Sequence, residues 1–188
     1  MILPIVKFGH PALRQKGKRI EKITEDIQQL VGNMLETMYK AAGVGLAAQQ
    51  VGEPLQLTVI DVRAAKDRPS TLEIEGKPGD VASFMPLVLI NPQIKPFGDP
   101  AVGPEGCLSF PEMYADITRP QSVEVQAWNA KGESIEFKAG GLLSRAIQHE
   151  IDHLNGILFI DRMTSEDKSA LKPQLDELQT ETRAALKR

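Results

Sequence analysis

Gln148-His149-Glu150-Ile151-Asp152-His153 is the segment that most limits what this chain can become. It lies in Gly141 to Leu154, which reads as a helix stopped by Asn155-Gly156 and is otherwise apolar at Leu142, Leu143, Ala146, Ile147 and Leu154. Residues four apart share one helical face, so His149 and His153 can hold one metal ion between them. Glu150, beside the first ligand, is placed to handle the proton of an activated water. The plainer alternative is an exposed amphipathic helix with two unrelated histidines. Against it, the chain has only three histidines and two are here. An apolar, mostly buried helix does not usually carry His and Glu without partners for them.

A catalytic metal of this kind takes three protein ligands and keeps a position open. No histidine follows His153, and Glu166 and Asp167 lie in a polar, exposed-looking stretch. The better candidate is upstream, in Pro104-Glu105-Gly106-Cys107-Leu108-Ser109, where a glycine lets the backbone approach closely. Beside a metal, the Cys107 thiol is deprotonated and a strong ligand. A lone cysteine is otherwise most often a small buried hydrophobe. A third segment, Gly43-Val44-Gly45-Leu46-Ala47-Ala48-Gln49-Gln50, reads as a backbone-exposing strand or turn that could pair with a peptide. Gln50 could donate to a developing oxyanion. A helix stop followed by a packed turn is the other reading.

The remaining pattern predicts mixed elements without a βαβ rhythm, hence an α+β fold. Thr24 to Ala42 has helical spacing, with Thr24 as N-cap and Gly43 as the stop. Leu55–Asp61, Leu87–Ile90 and Ile157–Ile160 read as short strands. Ser122–Ala127, with Ile135 and Phe137, reads as a hairpin closed by Asn129-Ala130-Lys131-Gly132. The polar Arg63–Pro86 stretch reads as a long loop or flexible hairpin. Pro173 to Lys187 reads as a final helix with Pro173 in its first turn.

With 22 basic and 25 acidic residues the net charge is −3, which argues against nucleic acid as the main partner. The single cysteine excludes an intramolecular disulfide and suits a reducing compartment. No apolar run approaches the roughly 20 residues of a membrane span, and Met1 to Ile5 is too short for a signal core. The expectation is a cytoplasmic protein.

Together the three segments resemble the peptide deformylases, whose motifs are G-φ-G-φ-A-A-x-Q, E-G-C-φ-S and Q-H-E-x-D-H, where φ is apolar. This chain has GVGLAAQQ at 43–50, EGCLS at 105–109 and QHEIDH at 148–153, in order and at compatible spacing. The likeness runs from ILPIVKFGHPALR to LNGILFIDR. The resemblance implies an α+β fold with antiparallel strands around the helix that carries the ligands. It implies Cys107, His149 and His153 as ligands, Glu150 as base then acid, and Gln50 with the Leu108 N–H as oxyanion donors. Gly45 and Val44 would meet the substrate backbone, and Glu105 would pair with Arg119. The implied metal is Fe²⁺, with Zn²⁺, Ni²⁺ or Co²⁺ able to replace it; ligand type alone points to zinc. The implied substrate is the formyl-methionyl end of a nascent polypeptide. One metallohydrolase unit is expected over residues 1–188, as a monomer, with residues 165–188 forming a helical tail similar to one that helps some bacterial members dock on the ribosome.

Three other readings stay open at this point: a thermolysin-like endopeptidase, a thiol hydrolase with Cys107 as nucleophile, and a non-enzymatic metal module. The first needs a His or Glu where Cys107 stands. The last needs a fourth ligand, for which only His10 remains.

Overall fold

The computed structural model describes residues 1–188. In chain order the elements are helix α1 (Glu25–Lys40), strands β1 (Gly45–Ala47), β2 (Leu57–Ile60), β3 (Ser70–Ile74) and β4 (Lys77–Pro78), a one-turn helix α2 (Val81–Phe84), strands β5 (Leu87–Cys107), β6 (Phe110–Trp128) and β7 (Ser134–Gly140), and helices α3 (Gly141–Leu154) and α4 (Ser165–Leu186). The strands form one sheet in the order β1-β2-β5-β6-β7-β3-β4, with every neighbouring pair antiparallel. Helix α3 lies buried against that sheet, so the expected α+β architecture around the ligand helix is the one observed. No helix is long and apolar enough to cross a membrane.

Helix α1 follows its sequence signals. The Thr24 side chain accepts from Ile27 N–H, and Val31, Met34 and Met38 are buried against Leu46, Leu57 and Val59 of β1 and β2. Burying such a side chain fully contributes about 1.5–3 kcal/mol, which a helix this short needs from tertiary packing. Its stop differs from the expectation. Ala42, with φ of 55°, turns the chain, one residue ahead of Gly43.

Strand β5 does not end at Ile90. It runs on to Cys107 opposite β6 through register shifts at Ile90/Gln93, Phe97/Pro100 and Gly106/Cys107. Four prolines at 92, 96, 100 and 104 made this stretch unreadable as a strand, since proline cannot donate to a ladder. Pro92 and Pro100 fall at the register shifts, whereas Pro96 and Pro104 stay in register opposite Val123 and Asp116. The β6–β7 hairpin closes as expected, with Asn129 Oδ1 accepting from the N–H groups of Lys131 and Glu133.

Of the two readings of residues 63–86, the hairpin is the one formed: β3 and β4 pair tightly, β3 joins β7, and Leu72 enters the core. Two further expectations are corrected. Ile157–Ile160 is not a strand but leads into a 3-10 turn, Phe159–Asp161. Its apolar character serves packing rather than pairing, with Phe159 edge-on to Phe110 at 5.1 Å. The last helix starts at Ser165, capped by Thr164, and Pro173 sits inside it.

Candidate metal centre

Helix α3 begins where β7 ends, and the junction requires glycine. Gly141 has φ of 65°, and a Cβ there would stand 2.2 Å from the Pro69 carbonyl oxygen. Leu142 N–H donates to that same oxygen at 2.9 Å. The sharp turn lays α3 across the sheet with all its residues from Leu142 onward buried. Cys107 reaches the helix from the end of β5, where the register shift after Gly106 lifts the strand. The ligand atoms of Cys107, His149 and His153 then lie within 4.8 Å of one another. Cys107 Sγ is 3.4 Å from His153 Nε2, close to the edge of about 3.6 Å that a tetrahedron of zinc-type bonds would have.

The His149 ring is fixed from behind. Its Nδ1 is 2.9 Å from Glu105 Oε1, so an N–H there donates to the carboxylate and Nε2 is left for a metal. Glu105 in turn accepts two bonds from Arg119, Nε to Oε2 at 2.6 Å and Nη2 to Oε1 at 2.9 Å. The expected Glu105–Arg119 pair is therefore present, and buried. Burial alone would raise the Glu105 carboxyl, but the bonds from His149 and Arg119 outweigh it and hold the group well below the usual carboxylate range. Two partners of this pair, and a third residue that holds one of them, extend the network beyond the expected ion pair. Arg145 Nη1 donates to Glu105 Oε2 at 2.9 Å, Arg119 Nη1 to Asp152 Oδ2 at 3.0 Å, and Arg162 holds Asp152 at 2.5 and 2.8 Å. The spacing of Arg145, His149 and Asp152 at i, i+4 and i+7 was the available signal, since it puts all three on one face of α3.

Glu150 is the other buried acid. Its Oε2 has no hydrogen-bond partner. Burial pushes its carboxyl up to about 7, with His149 pulling the other way. A Cβ on Gly45 would stand 2.5 Å from Glu150 Oε1, so β1 passes close over this carboxylate only because residue 45 is glycine. The sequence reading gave Gly45 a substrate role and missed this second reason for it.

Gln50 follows β1 in a short 3-10 turn, Ala48–Val51. Its Oε1 accepts from Ala47 N–H at 2.9 Å, which directs its Nε2 toward Ser109 Oγ at 3.2 Å and Cys107 Sγ at 3.5 Å. Val44, Gly45, Cys107, Leu108, His149 and Glu150 all line one cleft of 630 Å³. His10, the only other histidine, caps a turn by accepting from Ala12 N–H and is not in the cluster. Cys107, His149 and His153 could hold a metal ion, and three candidate ligands beside an open cleft suit a catalytic rather than a structural site. The thiol and two imidazoles suit a divalent transition metal.

A model of the family described as polypeptide deformylase matches residues 2–169. The chain belongs to this family. It is 48% identical to a peptide deformylase of Methylacidiphilum infernorum over 95% of this chain and 93% of that protein. It is 43% identical to one from Opitutus terrae over 100% of this chain and 98% of the other. Among solved structures it is similar to a peptide deformylase 1B of Arabidopsis thaliana, with a TM-score of 0.82 at 38% identity over 97% and 93% of the two chains. A Legionella pneumophila peptide deformylase gives 0.79 at 34% identity, covering 96% of each. Each of the family's three motifs lines the cleft in part, through Gly43 to Gly45, Glu105 to Leu108, and His149 with Glu150, while Gln50 and His153 lie behind its wall, Gln50 against Cys107 and Ser109 and His153 against Cys107.

Proposed function

We propose that the cleft removes the formyl group from the N-terminal formyl-methionine of newly made polypeptides, releasing formate. The observation that carries this is the meeting of Cys107, His149 and His153 behind an open cleft lined by Cys107, His149 and Glu150, with Glu150 Oε2 buried and without a hydrogen-bond partner. In this reading Cys107 and the two histidines hold the metal, which supplies Lewis-acid activation of water and of the formyl carbonyl. Glu150 takes the proton of the attacking water at its carboxylate and returns it to the leaving amine. A carboxyl displaced upward by burial is suited to both transfers. Negative charge gathers on the formyl oxygen. Gln50 Nε2, already directed by Ala47, and the Leu108 N–H donate to it. Val44 and Gly45 hold the substrate backbone along the edge of β1. Glu105 and Arg119 keep His149 in register.

We read the metal as Fe²⁺, with Zn²⁺, Ni²⁺ or Co²⁺ as substitutes, and the protein as a cytoplasmic monomer of one unit. Residues 165–188 form its tail. In that tail Leu175 is the only buried residue, which leaves a long exposed face for ribosome docking.

The test is hydrolysis of formyl-Met-Ala-Ser against the same peptide acetylated, after anaerobic purification. An extra methyl in a tight site costs about 1–3 kcal/mol, so acetyl should be cleaved at least tenfold more slowly. Equal rates would defeat the reading. A chelator should abolish formyl hydrolysis and, in step, expose Cys107 to iodoacetamide. Rapid labelling of Cys107 in active, metal-replete enzyme would make it a nucleophile instead. Gln50→Leu should lower kcat by roughly 10²–10³-fold, the usual loss for one oxyanion donor. Steady-state kinetics showing wild-type kcat would remove Gln50 from the mechanism.

A further inference from the structure

Residues 6–8 run alongside both loops that carry the oxyanion donors. Val6 N–H donates to the Gln50 carbonyl at 2.8 Å, and Phe8 N–H donates to the Ser109 carbonyl at 3.0 Å. Phe8 also packs its ring on Phe110, with centroids 5.0 Å apart. Between these two ties, Lys7 Nζ donates to the Leu108 carbonyl at 2.9 Å. Lys7 is half-buried and lines the cleft with Cys107 and Leu108.

A cationic donor to a carbonyl makes a stronger bond than a neutral one. Here it fixes one side of Leu108, while Cys107 is fixed on the other by the ligand cluster. The Leu108 carbonyl lies in the peptide shared with Ser109 and its N–H in the peptide shared with Cys107, so holding the one and anchoring the other restricts rotation about the Leu108 Cα. The only hydrogen bond the Lys7 side chain makes is to this carbonyl; burial pushes its ammonium down from the usual lysine range, and the nearby Cys107 sulfur favours the charged form. An apolar residue at position 7 would leave the Leu108 carbonyl without this bond.

We propose that Lys7 is a positioning residue for deformylation: anchored on the Leu108 carbonyl, it aims the Leu108 N–H and adds positive charge to the wall where the oxyanion forms. This rests on the oxyanion reading above.

The experiment compares Lys7→Met, Lys7→Arg and Gln50→Leu in metal-replete enzyme, measuring kcat, KM, metal content and Tm. Misaiming a donor should cost part of what its removal costs, so Lys7→Met should lower kcat roughly tenfold. KM, metal content and Tm should stay near wild type, and Lys7→Arg should recover most of kcat. A Lys7→Met variant with wild-type kcat, beside a crippled Gln50→Leu, would overturn the role of Lys7 alone. Loss of Tm and metal in proportion to kcat, with Lys7→Arg no better, would make Lys7 a mere brace and overturn it too. Wild-type kcat in both Lys7→Met and Gln50→Leu would overturn the oxyanion reading itself.

Discussion

Glu150→Gln is expected to reduce turnover of a formyl peptide by roughly 10³–10⁴-fold, the upper range for general acid–base catalysis, while metal content stays near normal. The effect should be large because one carboxylate serves both proton transfers. It should be clean because Glu150 is not among the clustered ligand atoms, and its Oε2 makes no hydrogen bond that the substitution would break. Glutamine also fits the space beside Gly45, where any Cβ would collide with the carboxylate. Elemental analysis alongside kcat decides the matter. Loss of metal in equal measure with activity would show that Glu150 holds the metal rather than moves protons.

Arg119→Ala should be the most destabilising single change at the site. Arg119 is 4% exposed and bonds both Glu105 and Asp152. Removing one partner of a buried ion pair typically costs about 3–5 kcal/mol, because the other charge stays buried. Glu105 keeps Arg145 and His149, and Asp152 keeps Arg162, so the lower end of that range is expected. For a chain of this length, about 3 kcal/mol lowers Tm by roughly 6–12 °C. The loosened Glu105 should also release His149, with metal affinity falling about 10–100-fold, as it does when an outer partner of a ligand is lost. Thermal melts and competition with a chelator measure the two effects. Arg119→Lys should recover charge but not the two-pronged bond, and so only part of either. Wild-type Tm with wild-type metal retention would end the idea.

The sequence alone pointed to the chemistry proposed for this protein. His149, Glu150 and His153 sit at fixed helical offsets, and a 3.6-residue period places such offsets without reference to anything distant. The bounds of α3, the cap of α1 by Thr24 and the Asn129 turn were legible for the same reason, each being a bond or period within a few residues. The resemblance of three short motifs to a known family supplied Cys107, the Leu108 N–H and the Glu105–Arg119 pair. Spacing by itself left Cys107 a candidate and did not reach the other three.

Only the tertiary structure decided what depends on separate segments meeting. Strand β5 continues past four prolines because β6 pairs with it around bulges, a long-range partner that local propensity does not register. The apolar run at 157–160 is buried by Phe110 rather than paired in a sheet, and periodicity does not separate those two outcomes. Asp152, Arg145 and Arg162 joined the Glu105–Arg119 pair, and Lys7 reached the Leu108 carbonyl from 101 residues away in sequence. Such contacts are set by how the sheet folds α3 and residues 6–8 onto the end of β5. Gly45 shows both levels at once: its motif marked it for the substrate, and the packing of β1 against Glu150 gives a second reason, that no side chain fits there.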